Sequence, residues 1–151
     1  MINNFQPSLA LLLQSEGGYS NHEFDHGGMT NLGVTKAVWE EYVGHPVSES
    51  DMRALTPEKV APMYKIKYWN PSYCEVLAKG LDYAIFDFAV NAGAGRAVKT
   101  LQSAIGCIPD GVIGPRTMGE LNNKDPKVLL ESFSNAKVAF YKDIEIGRAH
   151  V

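Results

Sequence analysis

The chain has 151 residues, 45% of them hydrophobic and 21% charged, with a formal net charge of −3. That is the balance of a soluble globular protein with room for one ordinary domain and its core. The acidic balance leaves no surplus of cations for a nucleic-acid face, so nucleic acid is not an expected partner.

The start, "MINNFQPSLALLLQ", has no Lys or Arg of a signal-peptide n-region, so cytoplasmic synthesis without a signal peptide is expected. Its apolar run Leu9 to Leu13 is far short of a membrane span, and no membrane insertion is expected. Ser8 after Pro7 reads as an N-cap, with a helix over Leu9–Gln14 that Gly17 and Gly18 stop. Tyr19 to Val34 is rich in Gly, Asn and Asp with β-like pieces such as "TNLGVT", an irregular loop or small hairpin. A helix resumes near Lys36 in "KAVWEEYVG" and closes at Gly44. "SESDMRAL" and "TPEKVAPMYKIKYW" open on cap-like Ser48 and Thr56, the second with Pro57 at the first helical position. "LDYAIFDFAVN" is the most apolar segment, followed by Gly93-Ala94-Gly95 and the helical "RAVKTLQSAIG". "CIPDGVIGPRTMGEL" is turn-rich first and helical later. The last amphipathic helix, "DPKVLLESFSNAKVAFYKDI", has Val128, Leu129, Phe133, Val138, Phe140 and Tyr141 as expected apolar contacts. The pattern is mostly α (α+β): short helices around one small β element. Cys74 and Cys107 are too few for a disulfide framework and too far apart for a metal knuckle, and read as buried thiols.

Chemistry concentrates in "SEGGYSNHEFDHGGMTNLGVT", residues 15–35. Glu16 falls at the end of the first predicted helix, where the macrodipole presents negative partial charge. That position favours the protonated carboxyl, the direction a general acid needs, and nearby leucines add desolvation of the same sign. Asp25 lies in a polar Gly-rich turn whose N–H groups favour the ionised form. Two carboxyls with opposed surroundings make a glycosidase acid and its partner, with Thr30 offering a hydroxyl to the attacking water. The residues alone also fit a solvated loop behind a helix C-cap. His22 and His26 are four apart, but in a loop and with no third ligand, so neither metal nor cofactor is expected.

The stretch "EGGYSNHEFDHGGMTNLGVT" resembles the start of the glycoside hydrolase family 108 muramidases, whose motif is E-G-G-Y followed by D-x-G-G-x-T-N-x-G-[IV]-[TS]. "MYKIKYWNP" and "FDFAVNAGAGRAVKTLQSAIG" are similar to later family segments, and "DGVIGPRTMGEL" to the D-G-x-x-G-P-x-T segment of a predicted peptidoglycan-binding region. The resemblance runs to about Leu121. It implies a lysozyme-like helical domain with a small β-hairpin or Gly-rich loop near the active site, cleaving the β-1,4 bond between N-acetylmuramic acid and N-acetylglucosamine. Glu16 would be the general acid, and Asp25 with Thr30 would hold a water for an inverting attack, as in phage lysozymes. Two departures stand out: four residues separate Thr30 from Asp25, one fewer than in phage lysozymes, and His26 replaces a usual proline. Bacterial peptidoglycan is the implied partner, and a monomeric endolysin released to the wall through a holin the implied setting. The rival readings are a non-catalytic wall-binding protein, or a lytic transglycosylase or chitinase on the same fold.

Tyr19, Asn31, Tyr68, Trp69, Asp87 and Asn91 are the expected substrate-binding residues. Tyr68 and Trp69 offer aromatic faces for a pyranose. Asp87 and Asn91 share a face of an otherwise apolar helix, where a sugar cleft or an internal network would satisfy them. "DGVIGPRT" is explained by turn punctuation alone. The expected division is a domain over residues 1–144, catalytic from 8 to 90 and helical and peptidoglycan-binding from 91 to 144. The closing "EIGRAHV", residues 145–151, departs from the family pattern and is expected to be a non-native tail.

Overall fold

The Leu9–Leu13 run is helical, but its helix begins before Ser8. In the computed structural model, which describes residues 3–21 and 28–149, α1 spans Phe5–Glu16. Pro7 sits in the first turn, where its missing N–H breaks no helical bond. Ser8 is therefore a buried residue of the helix and not its cap. Phe5, Leu9 and Leu12 form the buried stripe, and Leu11 faces outward.

Three short antiparallel strands follow: β1 (Ser20–Asn21), β2 (Met29–Asn31) and β3 (Val34–Thr35), in the order β1-β2-β3. Thr30 pairs with both Ser20 and Thr35, and Asn31 with Val34. Side chains alternate across a strand, so the buried Asn31 and Val34 share one face and the half-buried Ser20, Thr30 and Thr35 the other. Leu32 and Gly33 join β2 to β3 with φ of 52° and 77°. Two central residues at positive φ are the type I′ geometry, whose twist matches that of the flanking strands.

The caps read in sequence are present. Thr35 Oγ1 accepts from Val38 N–H at the start of α2 (Lys36–Val43), which Gly44 closes in the left-handed conformation. Ser48 and Asp51 form a reciprocal capping box on α3 (Glu49–Arg53), and Thr56 caps α4 (Pro57–Tyr64). Pro62 lies inside α4 and removes a donor from its ladder. A π-helical turn over Lys65–Trp69 follows it.

The chain separates into two compact units, Phe5–Ile66 and Lys67–Val151 with Met1–Asn4. This is a division by packing, drawn at a different place from the functional division near residue 90 expected from the sequence. The reason is α5 (Leu81–Ala92), which packs with α6 (Ala94–Ala104) and α8 (Pro126–Ala149). Ile85, Phe86, Phe88 and Ala89 of α5 are buried, as expected of a helix apolar almost all round. Its Asp82 is also buried, accepting from Gly80 and Tyr83 N–H and from Asn4 Nδ2, which ties Asn4 to this unit. Phe88 meets Phe133 and Phe140 edge-on at 5.7 and 5.4 Å between centroids. α8 faces the core with Leu129, Phe133 and Phe140, spaced four and seven apart. Val128 and Val138 lie off that stripe and are 52% and 49% exposed, contrary to the expected contacts. The helix continues through residues 145–149. Cys74 and Cys107 are buried free thiols, and burial, helped by the charge of Asp82, pushes the Cys74 thiol well above its usual range. Among the described residues no helix is long and apolar enough to cross a membrane.

The "DGVIGPRT" segment, leading into α7 (Pro115–Asn122), is organised by one buried side chain, Gln102 of α6. Gln102 Nε2 donates to Asp110 Oδ1 and the Val112 carbonyl, both at 2.9 Å, and to Thr117 Oγ1 at 3.2 Å. Its Oε1 accepts from Gly111 N–H at 2.9 Å. The turn is thus a structural lock. The Val112 N–H and the Gln102 amide hold the Asp110 carboxyl below its ordinary value of 3.8.

Gln102→Leu strands several of these groups, and each one left buried and unpaired costs about 1–3 kcal/mol, so thermal denaturation should show a markedly lowered midpoint. A carboxyl depressed in the folded state stabilises above its unfolded value and loses that contribution as pH falls through the folded one. The gap between wild type and Gln102→Leu is therefore expected to narrow when the scans are repeated well below the ordinary carboxyl value of 3.8.

Candidate active site

Glu16 is the last residue of α1, and Gly17 after it takes φ 76°, a left-handed residue of the kind that ends helices. The half-buried carboxylate thus stands at the carbonyl end of α1, where the helix disfavours negative charge. What it faces is the β2–β3 turn. A Cβ built on Gly33 would lie 2.9 Å from Glu16 Cγ, 3.0 Å from Glu16 Oε2 and 2.8 Å from Tyr64 Oη. Glu16 and the Tyr64 phenol therefore converge on the volume a side chain at residue 33 would fill. Glycine is required there twice over, by φ and by space.

Tyr64, at the end of α4, is buried, with 1% of its surface exposed. Its hydroxyl donates to the Leu32 carbonyl at 2.7 Å. Leu32 is a non-glycine residue in the left-handed region, a conformation disfavoured by about 1–2 kcal/mol, and this bond clamps it. The sequence reading passed over Tyr64 in favour of Tyr68 and Trp69. A signal was present nonetheless, since a buried tyrosine needs a partner for its hydroxyl, and the neighbouring turn offers a carbonyl.

Thr30 sits in the middle strand on the face with Ser20 and Thr35. Asp25 lies outside the described residues, as do His22 and His26. Asn31, expected to bind substrate, is 6% exposed and its Nδ2 donates to the Met52 carbonyl at 2.9 Å. This bond holds the sheet to α3 and makes Asn31 a structural residue. Tyr19 is also engaged with α3. The Arg53 guanidinium lies 4.0 Å from its ring centroid, and its hydroxyl donates to Glu49 Oε1 at 3.3 Å. The Arg53 guanidinium, and after it the Tyr19 hydroxyl, hold the Glu49 carboxyl below its usual range.

The other expected residues belong to the second unit. Trp69 is 1% exposed and packs edge-on against Phe86 at 5.3 Å, which makes it a core residue and not a sugar platform. Tyr68 is the half-exposed member of the pair. Asp87 is half-buried, and Asn91 is exposed with its amide donating to the Asp87 backbone carbonyl at 3.1 Å. Among the described residues no group of three or more His, Cys, Asp or Glu side chains is placed to hold a metal ion.

Comparison with known proteins places the chain in a family. Residues 9–93 match the family model described as Glycosyl hydrolase 108, and residues 96–149 one described as Predicted Peptidoglycan domain. The chain belongs to glycosyl hydrolase family 108. A structure of SagA from Brucella abortus is similar to it at 35% identity and a TM-score of 0.81, over 92% of this chain and 80% of that one. No curated protein sequence matches the chain. As a family 108 member with a peptidoglycan domain, this protein is a glycoside hydrolase that acts on peptidoglycan. That sets aside the non-catalytic wall-binding reading. The family 108 match extends over α5, which packs with the helices of the second unit, so the sequence families and the packing divide the chain at different places.

Gly33→Ala forces a β-carbon into the place of Glu16 and Tyr64 and imposes a left-handed alanine worth about 1–2 kcal/mol. Tyr64→Phe removes the clamp on Leu32, about 1 kcal/mol of net hydrogen bonding. Urea unfolding is expected to rank the two in that order, and Gly33→Ala is expected to lose activity beyond its loss of stability.

Proposed function

We propose that the protein is an N-acetylmuramidase that cleaves the β-1,4 bond between N-acetylmuramic acid and N-acetylglucosamine, with Glu16 as general acid. The observation that carries this reading is the convergence of Glu16 and Tyr64 on Gly33. The fold gives up a side chain there so that the carboxylate can rest against a rigid turn. A surface glutamate needs no such arrangement, whereas a proton donor must be held within reach of one bond.

In this reading Glu16 protonates the leaving glycosidic oxygen while charge develops on the sugar ring. Asp25, with the Thr30 hydroxyl, holds a water on the opposite face and takes its proton, so the anomeric centre inverts. Such a pair stands roughly 6.5–9.5 Å apart, against about 5–5.5 Å for a retaining pair. The assignment of Asp25 rests on the sequence motif, and that of Thr30 on the motif and on its place in β2 beside the Glu16-facing turn. Tyr64 positions the turn, and no proton is routed through it.

Release of soluble muropeptides from purified sacculi tests the reading, with wild type and Glu16→Gln compared after circular dichroism shows both folded. Loss of the acid is expected to lower the rate by about 10²–10⁴-fold. Equal rates from the two proteins would falsify the assignment of Glu16. Products bearing 1,6-anhydro ends, lighter by one water, would replace hydrolysis with transglycosylation. A retained anomer in the first product would rule out the inverting roles of Asp25 and Thr30.

A further inference from the structure

We propose that a groove between α6 and α8 binds the peptide stem of peptidoglycan through the stem's carboxylates. The inference rests on peptidoglycan being the substrate. The groove has a volume of about 570 Å³, within the range of small-ligand sites. One wall is the outward face of α6, carrying Arg96, Lys99, Thr100 and Ser103, and the other is α8, with Phe140 and Asp143.

The cations of that face have no acid on their own helix. Lys36, Arg53 and Lys124 each bridge a glutamate four residues away on their own helix. α6, "AGRAVKTLQSA", contains no acid at all, and among the described residues neither Arg96 nor Lys99 is in an ion pair. In a protein of net charge −3, two cations and two hydroxyls facing one concavity, against the single acid Asp143, are placed for an anionic ligand. Arg96 stacks over the Phe140 ring, 4.8 Å from its centroid. A guanidinium held over a ring keeps N–H donors that can meet a planar carboxylate.

The rest of the groove narrows the choice. Ala136 and Ala139 line its α8 side, leaving room for a peptide backbone and methyl side chains. Asp143 supplies one negative group across from the cations, a match for an amine. A wall peptide carries free carboxylates, alanine methyls and a diamino residue, whereas the glycan strand alone has no amine and fewer carboxylates. Phosphate-bearing wall polymers share the negative charge but have no use for the alanine floor or for Asp143.

The test measures binding to purified sacculi in a Glu16→Gln background, which leaves the wall intact, with and without Arg96→Glu and Lys99→Glu together. Three walls are compared: untreated, stripped of peptides by an amidase, and stripped of phosphate polymers by acid. Charge reversal is expected to weaken binding to untreated sacculi by about tenfold or more. Amidase stripping should produce the same loss, and removal of phosphate polymers none. Neutral Arg96→Gln with Lys99→Gln, expected to give a graded loss, guards against a folding artefact. Unchanged binding by the reversed variant overturns the proposal, as does loss on removal of phosphate polymers instead of peptides. Because binding is read without turnover, a failure of muropeptide release by wild type would count against the muramidase reading and leave this binding result standing.

Discussion

The turn between β2 and β3 has to pass beside Glu16 with no side chain of its own at residue 33. This constraint shapes the first unit. A turn with two residues at positive φ is tight and follows the strand twist, so the backbone can lie flat against the end of α1. Leucine at the first of those positions resists the geometry, and the Tyr64 hydroxyl on its carbonyl holds it there. α1, the hairpin and α4 are thereby bound to one small volume. A carboxylate at a helix terminus would otherwise have the freedom of a frayed end; here the turn limits where it can go.

Strands of two or three residues are not stable on their own, and the sheet is held from outside its ladder. Asn31 bonds α3 through Met52, Tyr64 bonds the turn, and Tyr19 is pinned under Arg53 with its hydroxyl on Glu49. Two of the residues expected to touch sugar therefore do structural work one step away from Glu16. The distinction bears on chemistry, because a general acid is useful only if its distance to the scissile oxygen is fixed. Rigidity in the hairpin is a condition for Glu16 to act as a donor.

Much of this was legible in the chain itself. Local signals, namely the caps at Thr35, Ser48 and Thr56, the glycine stops and the end of α1 at Glu16, depend on neighbours in sequence and read correctly. The motif also drew attention to Gly33, whose place against Glu16 the fold explains. What failed depended on contacts distant in sequence. Pro7 at the head of α1 hid the true start, because a proline is tolerated in a first turn as well as before one. Trp69 and Asn31 are residue types that serve cores and ligands alike, and only burial against Phe86 and the bond to Met52 separated the uses. Tyr64 was overlooked because its partner, Leu32, lies 32 residues away.

The same reasoning applies to the D-G-x-x-G-P-x-T segment, whose likeness to a binding motif invites a ligand role. Its polar groups are already engaged. Asp110, Gly111, Val112 and Thr117 all point their donors or acceptors at the single buried amide of Gln102. A group that satisfies the interior has little left to offer a ligand, since rebinding it means stranding the partner it leaves. The outer face of α6, the helix that carries Gln102 on its inner one, presents Arg96, Lys99, Thr100 and Ser103. One helix thus fixes the turn with a neutral amide on its buried side and keeps its cations, with no acid on the same helix, on the other. The buried side accounts for the motif, and the exposed side is where recognition of an anionic wall component has the groups it requires.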